Sequence, residues 1–135
     1  MPVLNHINLP VPDPRETADF FEEIFRFYTA FEMNKGAFIV LLSEDGSFAL
    51  TLQRAASGDA YPAGFHVGFH QPDKATVVAM QQRIQRMGYK APDAADLRTH
   101  QAFGFYMDAP GNVQVEVSTM LIPLEEFART KLQTA

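Results

Sequence analysis

Hydrophobic and polar residues alternate along much of the chain, and helical periodicity interrupts the alternation twice. Residues 3–9 alternate and predict a strand. Asp13, Pro14 and Glu16 predict the start of a helix, because Asp caps a helix, Pro suits its first position and Glu completes a capping box. Apolar residues then follow at helical spacing: Phe20, Phe21, Ile24 and Phe25. Three further strands are predicted, joined by hairpin-like turns: 28–33, 37–42 and 48–53.

The second half of the chain predicts the same order of elements. Residues 64–70 alternate, a helix is expected from about Asp73, and Gly88 is placed to end it. Strands are then expected near three segments: 89–92, 102–108 and 112–118. A short helix is predicted over 123–132.

Two sequence matches indicate that the chain is a duplication. HINLPVPD at 6–13 aligns with HVGFHQPD at 66–73, an offset of 60. GSFALTL at 46–52 aligns with GNVQVEV at 111–117, an offset of 65. The predicted fold is therefore α+β, with two tandem βαβββ units forming a curled mixed sheet cup and helices on its outer side.

We expect a single domain over 1–135, divided by this repeat. Its predicted parts are a first unit over 1–53, a linker over 54–63, a second unit over 64–119 and a helical tail over 120–135.

The polar side of the predicted strands faces the cup, because the apolar side is needed for packing against the helices. His6 and His66 occupy matched positions on this side, and Glu116 and Tyr106 also fall on it. Two histidines and a carboxylate form a facial triad for a non-haem divalent metal, with positions left open for substrate and oxygen. Glu116 aligns with Thr51, so a fully symmetric fourth ligand is missing. The alternative is that each histidine is a hydrogen-bonded structural residue.

From His6 to about Ser118 the chain resembles the vicinal oxygen chelate superfamily, which includes glyoxalase I, bleomycin resistance proteins, fosfomycin resistance enzymes and extradiol dioxygenases. The stretch FYMDAPGNVQVEV most resembles the catalytic part of extradiol dioxygenases. This resemblance implies iron ligation by Glu116, with His6 and His66, and a hydrogen bond from Tyr106 near the substrate. It favours Fe(II), with Mn(II), Zn(II) or Ni(II) as alternatives, and a small catechol-like or vicinal-oxygen substrate.

The remaining polar residues are weaker candidates. His100 and His70 are candidates for proton transfer, although a solvated loop histidine and a pocket-lining histidine are the plain alternatives. Thr51, Gln53 and Gln114 are candidates for substrate contact. The other functions that fit are a glyoxalase-like lyase or isomerase and a metal-free binding protein of the bleomycin-resistance kind, with phenylalanines lining its cup.

Composition and charge narrow the classes of molecule that the protein is expected to bind. The net charge of −5 argues against nucleic-acid and anionic-membrane surfaces, and the chain has no cysteine for disulfide or zinc–thiolate chemistry. No apolar run is long enough to span a membrane, and the first residues do not resemble a signal peptide. We therefore expect a cytoplasmic protein that binds a small molecule. A homodimer is expected, because small units of this kind leave sheet edges to be covered.

Overall fold

The computed structural model describes residues 1–56, 60–98 and 101–134, with side chains of the last range described as far as residue 130. The elements confirm two βαβββ units and a C-terminal helix. In chain order they are β1 His6–Val11, α1 Pro14–Phe25, β2 Tyr28–Met33, β3 Phe38–Leu42, β4 Ala49–Arg54, β5 His66–His70, α2 Lys74–Arg86, β6 Ala95–Leu97, β7 Ala102–Ala109, β8 Val113–Met120 and α3 Leu124–Thr134.

The first unit is a four-stranded mixed sheet in the order β1-β4-β3-β2, with α1 packed on it. Strand β1 runs parallel to β4, and the other neighbouring pairs are antiparallel. The carboxylate of Asp13 accepts hydrogen bonds from the backbone N–H groups of Arg15 and Glu16, which confirms the predicted helix cap. Phe20 and Phe21 are fully buried, with their rings edge to face and 5.2 Å between centroids.

The second unit repeats the sheet in the order β5-β8-β7-β6, with β5 parallel to β8. Asp73 caps α2 as expected, because its carboxylate accepts from the backbone N–H and the hydroxyl of Thr76. The strand predicted near 89–92 is wrong, and the short strand β6 lies at Ala95–Leu97 instead. Within the segment 89–92, the carbonyl of Ala91 accepts a hydrogen bond from the side chain of Gln85, 2.7 Å away, and Pro92 has no N–H to donate to a neighbouring strand.

Strand register supports the predicted duplication. In the first unit Asn8 lies opposite Thr51, and in the second Gly68 lies opposite Glu116. The first members of these pairs are 60 residues apart and the second members 65 apart, which are the two offsets of the sequence repeat. Thr51 and Glu116 therefore occupy equivalent places in their own sheets.

Backbone contacts place one short segment with the other half of the chain. The two compact units are Met1–Ala63 with Ala109–Val113, and Gly64–Asp108 with Gln114–Ala135. The hydroxyl of Thr17 donates to the carbonyl of Pro110, 2.9 Å away. A β-carbon at Gly111 would lie only 2.9 Å from a methyl group of Val11, so that turn requires glycine.

In the parts of the chain that the structure describes, no helix is long and apolar enough to cross a membrane.

Strands β7 and β8 approach each other closely at Gly104. A β-carbon there would lie 2.1 Å from the carbonyl oxygen of Val117 and 2.6 Å from the β-carbon of Ser118. Because neither backbone nor β-carbon can move away freely, this glycine sets how near β7 comes to the polar residues of β8.

Replacing Gly104 by alanine is expected to lower the free energy of unfolding by about 3 kcal/mol, the upper part of the usual range for overpacking. Gly68→Ala is the matched control in the same sheet, because its β-carbon would lie 3.8 Å from the nearest atom, an ordinary contact. Urea unfolding measures both variants. Equal losses of stability would show that the close approach at Gly104 is relaxed without cost.

Candidate metal and substrate site

Glu116 is an almost fully buried carboxylate in β8, at 5% exposure. Its Oε1 accepts a hydrogen bond from Arg98 Nη2 at 2.5 Å, and its Oε2 accepts one from the Ser118 hydroxyl at 2.7 Å. Tyr106 in β7 also hydrogen-bonds to it. A charge taken out of water is tolerated only when it is paired and hydrogen-bonded, and this cluster meets both conditions.

The charges of this cluster follow from opposing effects on its pKa values. Burial raises the pKa of Glu116, but hydrogen bonds from Arg98, Ser118 and Tyr106 outweigh burial and hold it below its ordinary value. The hydrogen bond to Glu116, followed by burial, raises the pKa of Tyr106. At neutral pH the carboxylate is therefore ionised, and the phenol keeps the proton that it donates.

His66 begins β5 and lies beside Glu116. Its Nδ1 is 2.9 Å from the carbonyl oxygen of Gly64, and its Nε2 is 3.8 Å from Glu116 Oε1. A carbonyl oxygen can only accept, so the geometry assigns the proton of this bond to Nδ1. The lone pair of a neutral ring is then on Nε2, the arrangement that metal-ligating histidines use. The ring also meets Tyr106 edge to face, with 5.3 Å between centroids.

The first unit has the uncharged Thr51 at the position where the second has the ionised Glu116. His6 is exposed, and its Nδ1 lies 2.8 Å from Asn5 Oδ1, which again leaves Nε2 for a ligand. The Thr51 hydroxyl donates to Asn8 Oδ1 at 2.7 Å, and the Asn8 amide donates to Gln53 Oε1 at 3.1 Å. The two candidates for substrate contact in this unit are therefore joined through one asparagine.

The structure brings His66, Tyr106 and Glu116 together in the second unit. His70 ends β5 as an exposed side chain, and half-buried Gln114 lies opposite His66 in the register. The remaining predicted residue, His100, lies outside the described residues.

A cavity of about 670 Å³ opens in the second unit. Its polar lining includes the ion pair of Arg98 and Glu116, with Ser118 and His70 beside it. Its apolar lining comes mainly from the end of β8, the segment that follows and α3: Met120, Leu121, Ile122, Leu124 and Phe127. A pocket that is largely apolar with a few polar groups suits a small molecule with a polar end.

The donor types at Glu116 fit a divalent metal. Within the described ranges, neither unit contains a group of three or more His, Cys, Asp or Glu side chains that could hold an ion. Glu116 Oε1 and His66 Nε2 are nevertheless donors of the types that supply two of the three ligands of a facial triad, a carboxylate and an imidazole. Ligand atoms about 2.1 Å from one ion lie about 3–3.4 Å apart, so their separation of 3.8 Å needs only a small closure.

Sequence reasoning missed Arg98, which holds the carboxylate oxygen nearest to His66. The sequence also assigns no role to Ser118, which donates to the other oxygen of this carboxylate. The signal for a basic residue was Glu116 itself, because a carboxylate predicted to lie among valines of a buried strand needs a positive partner.

The sequence model of the Glyoxalase/Bleomycin resistance protein/Dioxygenase superfamily matches residues 3–117. The chain belongs to this superfamily, which confirms the resemblance found in the sequence. Proteins of this superfamily bind small molecules, commonly with a divalent metal, and often form dimers.

Solved structures give particular neighbours. A possible glyoxalase from Bacillus cereus is 33% identical, with a TM-score of 0.75, and the match covers 85% of this chain and 96% of that one. The fosfomycin resistance protein FosX from Listeria monocytogenes is 20% identical, with a TM-score of 0.75, covering 93% and 98%. A lactoylglutathione lyase from Agrobacterium tumefaciens is 18% identical, with a TM-score of 0.67, covering 87% and 92%. The last two share the fold alone. No curated protein matches the chain significantly.

Ser118→Ala removes one hydrogen bond to the ionised Glu116 and is expected to lower the free energy of unfolding by about 1–2 kcal/mol at pH 7. The folded pKa of Glu116 lies below its ordinary value of 4.5, so the stability it contributes is present above that value and is lost as pH falls through the folded pKa. The variant raises this pKa, and its deficit should disappear in acid. Urea unfolding between pH 2 and 7 measures this, and a deficit that is constant with pH would contradict it.

Proposed function

We propose that this chain is a metal-dependent enzyme in which His6, His66 and Glu116 hold one divalent ion. The observation that carries the proposal is the buried anion of Glu116 beside His66, whose Nδ1 is anchored by a carbonyl so that Nε2 is left as a ligand. His6 has the same anchored Nδ1 in the first unit. Fe(II) is the favoured ion, because two histidines and one carboxylate leave positions for substrate and oxygen.

The reaction we favour is extradiol cleavage of a small catechol-like or vicinal-oxygen substrate. Bound Fe(II) would supply a Lewis acid and the open positions that oxygen chemistry requires. The apolar wall of the cavity packs against the substrate body. Tyr106 keeps Glu116 oriented through its hydrogen bond to that carboxylate. Among the residues that the structure describes, the candidate for proton transfer is His70, which lines the cavity. His100 stays a candidate from the sequence.

Two alternatives each have one observation in their favour. A glyoxalase-like isomerase or lyase is supported by the 33% identity to the possible glyoxalase from Bacillus cereus. A metal-free binding protein is supported by Arg98, which already neutralises Glu116. Oxygen uptake with a panel of catechols separates the dioxygenase from an isomerase, which consumes no oxygen.

The cytoplasmic location expected from the sequence stays a prediction.

Metal retention tests the proposed function. After chelation and reloading with Fe(II), Mn(II) or Zn(II), the protein should bind about one ion per chain. His6→Ala, His66→Ala and Glu116→Gln should each weaken binding by at least about 100-fold, because each removes a direct ligand. His70→Ala is the matched control on the same strand as His66, and should bind normally. If no ion binds more tightly than micromolar, the metal-free binding protein replaces this proposal.

We also propose a homodimer that covers β2. This strand is an edge of the first sheet and exposes Tyr28, Phe31 and Met33, at 47%, 51% and 48%. An exposed apolar edge strand is open to pairing unless another surface covers it.

Light scattering should therefore give twice the chain mass of 15.1 kDa. Phe31→Lys should shift the protein to monomer, whereas Val78→Lys, at an exposed apolar position of α2, should not. A wild-type monomer at high concentration would refute the dimer.

A further inference from the structure

Arg98 and a divalent metal require the same oxygen of Glu116. The guanidinium donates to Oε1 at 2.5 Å, and this oxygen is also the one that faces His66 Nε2, at 3.8 Å. The other oxygen, Oε2, is occupied by the Ser118 hydroxyl. An ion held jointly by His66 and Glu116 would therefore either share this oxygen with Arg98 or take its place.

We propose that Arg98 is the resident counter-ion of Glu116 and that a divalent metal binds only by displacing it from Oε1. This inference rests on the proposed metal site and deepens it. Arg98 thus sets the affinity of the site, because every binding event must first break an ion pair.

The charges around Glu116 require that a bound metal replace Arg98 rather than join it. Ser118 and Tyr106 are neutral donors to Glu116, so the positive charge at the carboxylate comes from Arg98. Removing it with nothing in its place would leave a buried carboxylate uncompensated. Keeping it beside a dication would place like charges about 4 Å apart, which is unfavourable where water is scarce. One cation or the other is favoured, but not both.

Burial identifies which partner moves. The side chain of Arg98 is 33% exposed, whereas that of Glu116 is 6% exposed and is fixed within a strand. Arg98 follows the three-residue strand β6 and has a backbone φ of 48°, a conformation that marks a turn rather than a continuing strand. A guanidinium at this position can turn toward solvent and regain hydration, while the carboxylate cannot.

The test compares Zn(II) affinities by chelator competition, since zinc needs no reductant. Arg98→Met, which keeps an unbranched stem but has neither the guanidinium nor its charge, should bind Zn(II) about tenfold more tightly than wild type. Arg86→Met, an exposed arginine of α2 in the same unit, is the matched control and should bind as wild type does. Saturating Zn(II) should also raise the melting temperature of Arg98→Met more than that of wild type.

A second measurement uses the wild-type protein and needs no stable Met variant. The Nε–H resonance of Arg98, assigned through Arg98→Lys, should shift on addition of Zn(II) as the guanidinium leaves the carboxylate. Wild-type Zn(II) affinity in Arg98→Met, or an unchanged Arg98 resonance, would overturn the exchange while leaving the metal site intact. No Zn(II) binding to either wild type or Arg98→Met would overturn both the exchange and the proposed function.

Discussion

A carboxylate buried in a sheet must be neutralised, and the structure around Glu116 is arranged to meet that constraint. Arg98 supplies the charge, and Ser118 and Tyr106 complete the hydrogen bonds. Gly104 permits the close approach of β7 that accompanies this arrangement, because any side chain there would collide with β8. The positions of Arg98, Ser118 and Tyr106 therefore follow from the need to neutralise and hydrogen-bond one buried negative charge.

The equivalent position in the first unit shows what the duplication left unchanged and what it altered. Thr51 has the same place in the register as Glu116, yet it joins a neutral network with Asn8 and Gln53. A short hydroxyl needs no counter-ion, and the sheet geometry is kept without one. The sheet is thus repeated in both units, whereas of these two equivalent positions only Glu116 carries a buried charge. Our proposed chemistry requires this asymmetry.

Much of the fold could be predicted because its signals are local. Period-two alternation located most strands, and Asp13 and Asp73 located the starts of both helices. The proximity of Tyr106 to Glu116 followed from alternation on neighbouring strands. Arg98 could not be found in this way, because a turn has no periodicity and nothing local says which basic residue reaches a buried acid. Strand β6 was misplaced for a related reason, since the side chain of Gln85 binds the backbone where a strand was expected.

The turn at Ala109–Val113 has a consequence for how the chain can be divided. It connects two strands of the second sheet, yet it belongs to the first compact unit, with Pro110 bonded to Thr17 and Gly111 against Val11. A cut in the connection before Gly64 would therefore not yield two self-sufficient halves. The C-terminal fragment would carry a piece of its neighbour's structure, so the pair is suited to fragment complementation rather than to independent folding.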